Sequence, residues 1–408
     1  MTAIATEPDT AKTSSLSVLL YLARGLRGFG DGFAIIVLPA YMTTLGFGAA
    51  AVGLVAAASL LGTALLTLAV GWFAPRHDLR PLLVFGACLM AATGIAFPNA
   101  EHLLLIAAVG FIGTINPSGG DLGVLVPLEH AALAKSATDE RRTQAFARYS
   151  LIGALCTAAG SLAASVPDVL VSHGMTASGA FRSMFYAYGG LGAVCAMLYR
   201  RMPHARAEQE APHAPLGPSR KRVYKLAALF SVDAFAGGFI AQSLLVLWLL
   251  QRFDLSLSAA GLFFFWSSTL GAFSFPVAAW IAKRTGLVNT MVFTHIPSSV
   301  FLILAAFSPN LYLALALLLL RAALSQMDEP TRTSYVMAVV TPAERPAAAS
   351  MTAVPRSLAS SISPAISGVL LATAFPGLPL ILCGALKIAY DIALLLSFRH
   401  IRPPEEIA

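Results

Sequence analysis

The chain has 408 residues, 57% of them hydrophobic and only 12% charged, with a net charge of +7 and a mean hydropathy of +0.75. Soluble domains carry roughly 25% charged residues to solvate their surface, so this composition excludes a water-exposed globule and requires lipid over much of the surface. The basic residues gather at helix ends and in one central stretch, as membrane topology predicts and nucleic-acid binding does not.

Apolar runs bounded by turn signals predict twelve transmembrane helices. They cover 16–44, 49–74, 80–98, 102–128, 144–167 and 178–199, then 223–250, 257–282, 287–307, 309–338, 346–373 and 376–398. The fold class expected is therefore an all-α membrane protein, twelve transmembrane helices in two pseudo-symmetric six-helix bundles, 16–199 and 223–398. The polar segment 1–15 lacks a cleavage-type site and is expected as a tail, not a signal peptide. Residues 200–222, RRMPHARAEQEAPHAPLGPSRKR, have no apolar periodicity and predict a flexible tether, with 399–408 as a second tail. The segment NPSGGD, 116–121, brings a proline and two glycines into the fourth span and predicts a bend or local unwinding there. Cys88, Cys156, Cys195 and Cys383 lie in apolar runs without CxxC spacing and are expected as small packers, with neither a metal site nor a disulfide.

One set of alternate loops carries Arg76, Arg80, Lys135, Arg141, Arg142, the whole tether, Lys283, Arg284 and Arg345; the other holds little beyond Arg182 and Arg252. The basic side is the cytoplasmic one, so both tails and the tether are expected inside. The halves also resemble each other. AVGWFAPRHDLRPLLVF (69–85) and VAAWIAKRTGLVNTMVF (277–293) align at an offset of 208, matching Trp72 with Trp280, Arg76 with Arg284 and Leu79 with Leu287. The same offset pairs Gly53 with Gly261, Asp121 with Glu329 and Arg148 with Arg356. This pattern predicts a parallel repeat about an axis along the membrane normal.

Two six-span halves, a long basic tether and a basic loop between the second and third spans resemble the major facilitator superfamily. Its loop signature, Gly-x-x-x-Asp-Arg-x-Gly-Arg-Arg, is met by Gly71, Arg76 and Arg80, while Pro75 replaces the acid and Asp78 the second glycine. In the second half Arg284 and Gly286 fit and Lys283 replaces the acid. In that family the loop acid helps lock the cytoplasmic side, so another carboxylate must serve here or the lock is weaker. The resemblance also implies that the first, fourth, seventh and tenth helices line a central cavity, and the polar residues of this chain concentrate on those spans.

Charges at membrane depth cost several kcal/mol and are functional candidates. Arg24, Arg27 and Asp31 fall on one face of the first span. Asp31 is either a proton or substrate site or the structural partner of Arg24 or Arg27; Asp233 is a second proton-coupling candidate. Substrate-cavity candidates are Arg24, Arg27, Asn116, Asp121, Gln242, Arg321 and Gln326. Arg321 suits an anionic substrate group or a carboxylate of another helix, such as Asp31 or Asp233. A cytoplasmic gate is expected from Arg76, Arg80, Glu129, Arg141, Arg142, Arg148, Arg284, Asp328, Glu329, Arg332, Arg345 and Arg356, although these charges could equally fix helix ends. Lys387 and Asp391, four residues apart, predict an intrahelical pair, and His295 and His130 stand isolated.

There is no Walker A sequence, HExxH or GxSxG, so no cofactor, direct ATP drive or enzyme activity is expected. The expected function is proton-coupled export of a small organic molecule by alternating access, by a monomer in the inner membrane of a GC-rich bacterium. The partners expected are substrate, protons and lipid. Two alternatives stand beside it: proton-coupled import of an organic anion, and a transporter-like sensor or scaffold.

Overall fold

The structure is a computed structural model describing residues 7–73, 77–119, 123–136, 139–203 and 216–399. Arg76, Asp121 and most of the tether lie outside the described residues, as do the side chains of Arg141 and Arg142. The first half holds α1 (Glu7–Thr44), α2 (Ala49–Phe73), α3 (Leu79–Ala96), α4 (Leu103–Ile112), α5 (Leu125–Ser136), α6 (Asp139–Leu162), α7 (Val166–Ser172) and α8 (Ala177–Arg200). The second holds α9 (Arg220–Gly238), α10 (Gln242–Phe253), α11 (Leu257–Thr285), α12 (Leu287–Ala306), α13 (Leu311–Ser325), α14 (Asp328–Ala338), α15 (Arg345–Ser360), α16 (Ser363–Leu371) and α17 (Leu378–Phe398). No strand occurs among the described residues, and 8 helical runs are long and apolar enough to cross a membrane.

The repeat reaches the helix boundaries. Ala49 and Leu257, Leu79 and Leu287, and Leu103 and Leu311 open successive helices, each pair 208 residues apart. Different local chemistry serves the same corner in the two halves. Asp78 caps α3 by accepting from the Arg80 N–H, whereas Gly286 starts α12 with a left-handed φ of 87°.

The fourth span breaks where its Pro and Gly residues predicted, beginning at Gly113. Asn116 Nδ2 donates to the Gly119 carbonyl (3.0 Å), its Oδ1 accepts from the Ser118 N–H (3.0 Å), and Gly119 turns back at φ +71°. The seventh span breaks opposite it, between α9 and α10, and the Ser243 N–H donates to the Pro117 carbonyl at 2.9 Å. Each break thus supplies the hydrogen-bond partner that lipid could not, which is the condition for irregular backbone at this depth.

Among the described residues the halves share an apolar core at one end. A single apolar core joins Phe33, Tyr41 and Val52 of the first half to Leu247, Trp248 and Phe264 of the second. There α2 lies so close to α16 that a Cβ on Gly53 would fall 2.7 Å from the Gly368 Cα. At the other end, which holds Met202 and Leu216, the cores are separate. Leu16, Leu83 and Tyr199 belong to one, Val223, Tyr335 and Leu394 to the other. Cys88 is exposed on the outer face of α3, not packed inside as expected; Cys156 is half-buried and Cys195 and Cys383 are buried, all four free.

Candidate functional site

Two buried groups of charges flank the parting between the halves. In the first half, Glu129 on α5 is fully buried and accepts from the Arg27 guanidinium and from the hydroxyls of Tyr149 and Tyr199. Arg24, one turn before Arg27 on α1, lies over the Tyr149 ring at 5.4 Å. Glu129 was expected in a gate with Arg141, Arg142 and Arg148. It instead neutralises Arg27 inside its own half, because the rotation of α1 and α5 turns both side chains inward while Arg148 stays exposed on α6. Asp31, one turn after Arg27 on α1, also has a partner on α8. Its Oδ1 accepts from the Tyr188 hydroxyl at 3.3 Å, and Tyr188 lies 3.2 Å from Thr114 Oγ1.

Arg27, Asp31, Thr63, Thr114 and Tyr188 line a small cavity of about 20 Å³. That is room for about one water and no substrate. Thr63 and Gly123 also border a cleft of about 250 Å³ between the halves, closed on the far side by Ser357 and Ser360 of α15. Asp31 therefore stands behind the cleft, one water-sized space away.

In the second half the charges form an extended network over α9, α12, α14 and α17. Asp233 accepts from Lys387 Nζ at 2.6 Å and faces Arg332 at 3.5 Å; Arg332 also binds Asp328. Asp233, expected as a proton-coupling site, thus spends its two oxygens on two cations. The predicted Lys387–Asp391 pair does not form. Lys387 reaches across to α9, and Asp391 turns to His295, whose Nδ1 lies 3.0 and 3.1 Å from its oxygens. His295 is therefore not isolated: its Nε2 lies 3.3 Å from Lys387 Nζ. An Nδ1–H donating to Asp391 leaves Nε2 to accept from Lys387, so both ring nitrogens are satisfied. Asp328 and Arg332, expected in the gate, are buried inside this network and pair within their own half among the described residues.

The remaining candidates divide by position. Asn116 serves its own turn, and Gln242 packs against Gly119 beneath it. Gln326 is exposed at the end of α13. Arg321 meets neither Asp31 nor Asp233 in an ion pair; a 3.4 Å bond from Ser298 reaches only its carbonyl. Arg80 is half-buried, and Glu329 is exposed, at the parted end. Also exposed there, Arg284 stacks on Trp280 at 4.0 Å and Arg345 donates to the Met337 carbonyl at 3.2 Å. His130 packs its ring on Phe146 and Tyr149. Sequence reasoning missed Tyr149, Tyr188 and Tyr199. The signal for two of them was present, since Tyr188 and Tyr199 are eleven residues, about three turns, apart and share a face of α8. Among the described residues no group of three or more His, Cys, Asp or Glu could hold a metal ion.

The sequence profile of the Major Facilitator Superfamily matches residues 20–319. An uncharacterized membrane protein of Saccharomyces cerevisiae is 24% identical, covering 93% of each chain. Among solved structures, nucleoside transporter NupG superposes with a TM-score of 0.72 at 14% identity, covering 94% of this chain and 99% of its own. The inward-open xylose transporter XylE from E. coli gives 0.73 at 14%, covering 94% and 95%. An inward-facing bacterial homolog of the human lysosomal transporter Spinster gives 0.70 at 16%, covering 96% of each.

Proposed function

The chain belongs to the Major Facilitator Superfamily, and we propose that it exports a small organic molecule in exchange for protons by alternating access. It is a multi-pass membrane transporter and not an enzyme. In this reading twelve spans form two six-helix bundles, 16–199 and 223–398, with both tails and the tether in the cytoplasm of a bacterial inner membrane. The positive-inside distribution supports that sidedness. The parted end then faces the cytoplasm, and the structure is an inward-facing state.

The observation that carries the reading is the position of Asp31. It is a carboxylate at membrane depth, on a water-sized space that shares Thr63 and Gly123 with the cleft between the halves. A proton carrier needs a carboxyl group that water can reach from the substrate path. Glu129, Asp233 and Asp328 are each buried inside one half, whereas the Asp31 carboxylate accepts from a tyrosine hydroxyl beside the small cavity. Export is favoured over uptake because the short loops and acid-bearing first span resemble drug and metabolite antiporters. The basic residues at the parted end would meet acidic partners only when the halves close there.

The test compares accumulation of a broad panel of toxic and metabolite-like compounds in cells lacking their main efflux pumps. The native protein should lower accumulation of at least one compound, and Asp31→Asn at equal expression should not. Equal accumulation with both active proteins removes Asp31 from the mechanism. Higher accumulation with the native protein reverses the direction, and no effect of either favours a sensor.

A further inference from the structure

The cations at membrane depth can be taken one at a time. Arg27 is matched by Glu129, Arg332 by Asp328 and Asp233, and Lys387 by Asp233; Arg24 rests on Tyr149. Arg321 and Arg356 remain, neither within ion-pairing distance of an acid among the described residues. Arg321 lies on α13 behind α12, where Ser298 bonds its carbonyl, and borders no described part of the cleft. Arg356 differs. It is on α15, one turn before Ser360 on the same face and next to Ser357, and both serines line the cleft. Its Nε–H is buried with no acceptor. A buried donor left unmade is costly, more so on a charged group, so this guanidinium is in place for an acceptor that the described residues do not supply.

The cleft wall fits the same occupant. Thr63, Thr67, His130, Ser357 and Ser360 offer hydrogen bonds along one side, and Leu60, Val126 and Pro127 offer apolar surface. Among the described residues no carboxylate lines it. At about 250 Å³ it falls just below the roughly 300–1,000 Å³ of drug-sized ligand pockets. We propose that the cleft receives a small organic anion and that Arg356 is the cation that holds its anionic group, a bidentate match for carboxylate or phosphate. This rests on the transporter reading, in which the cleft is the substrate path, and adds the substrate's charge class to it. Arg356 is then a substrate-binding residue instead of the gate residue that its basic surroundings suggested.

A thiol reporter tests the cleft without knowledge of the substrate. Full-length protein carrying Cys88→Ala, Cys156→Ala and Ser360→Cys is labelled with an anionic sulfonatoethyl thiosulfonate and a cationic trimethylammonioethyl thiosulfonate. Rates are corrected for reactivity with a free thiol and for background without Ser360→Cys. The anionic reagent should be favoured roughly tenfold, given one unpaired cation a turn away. Arg356→Lys should keep most of that preference and Arg356→Gln should bring it to parity. Parity in the native background, an anion preference that survives Arg356→Gln, or no labelling overturns the proposal. So does a cation preference, which would make the cleft a site for cations. Flux in proteoliposomes is read separately: protein that translocates a compound while labelling shows parity keeps the transporter reading and loses this one.

Discussion

The two halves bury charge at the same depth by different means. The first closes three groups around one carboxylate: Glu129, Arg27, Tyr149 and Tyr199 form a compact, neutral knot on α1, α5, α6 and α8. The second distributes Asp233, Asp328, Asp391, Lys387, Arg332 and His295 over four helices, with Asp233 and Arg332 each holding two opposite charges. A repeated scaffold therefore does not impose a repeated electrostatic solution. The compact knot depends on a single acid, and the network contains alternatives. The knot also leaves Asp31 outside it, on the side of the small cavity.

The largest effect should come from cutting the knot. Glu129→Ala leaves the Arg27 guanidinium buried and uncompensated, at a cost of about 3–5 kcal/mol. Yield and melting temperature in detergent should fall sharply, and adding Arg27→Met should recover most of the loss. A single variant as stable as native would show that Glu129 is not the acid that matters. Lys387→Met should cost less, about 1–3 kcal/mol, because Arg332 still faces Asp233. The same melting measurement sharpens the contrast: equal losses from Lys387→Met and Glu129→Ala would mean the network has no reserve.

The smallest effect concerns the loop joining α14 to α15, at the parted end of the second half. Glu344 accepts from the Thr341 hydroxyl (2.7 Å), the Ser219 hydroxyl (2.8 Å) and the Gly217 N–H (2.6 Å), fastening the end of the tether to that loop. Those hydrogen bonds, the hydroxyl ones first, hold its carboxyl down to about 2 from an ordinary 4.5. A lowered value in the folded state stabilises above the unfolded value and loses its effect as pH falls toward the folded one. Glu344→Gln should lower the melting temperature slightly at pH 7, and the gap to native should narrow below about pH 4.5. A gap that stays constant down to pH 3 would remove the carboxylate from the fastening.

Most of the helices and one of their breaks were legible, while the breaks within 223–250, 309–338 and 346–373 were not. The NPSGG stretch foretold the gap after α4, since a proline and paired glycines weaken a helix wherever they sit. The offset of 208 that relates the halves in sequence recurs at the starts of α11, α12 and α13. The partners of the charges were not legible. Lys387 and Asp391 satisfy every local rule for a pair, yet one bonds to a residue 154 positions away and the other to His295. Spacing on one helix brings two side chains to the same face, but cross-helix geometry decides whether a better partner is nearer. The tyrosines escaped notice because a hydroxyl on an aromatic ring reads as apolar mass until a carboxylate is found beside it.

The sequence by itself determined that this chain lives in a membrane, how its helices recur and which charges must be turned away from lipid. Those follow from hydropathy, helix period and the cost of exposing backbone or charge to hydrocarbon, all of them local. Only the tertiary structure decided which charge cancels which, that the halves join at one end and part at the other, and that Asp31 and Arg356 stand beside the parting. Rotation and crossing of packed helices set those relations, and residues far apart along the chain share in each of them.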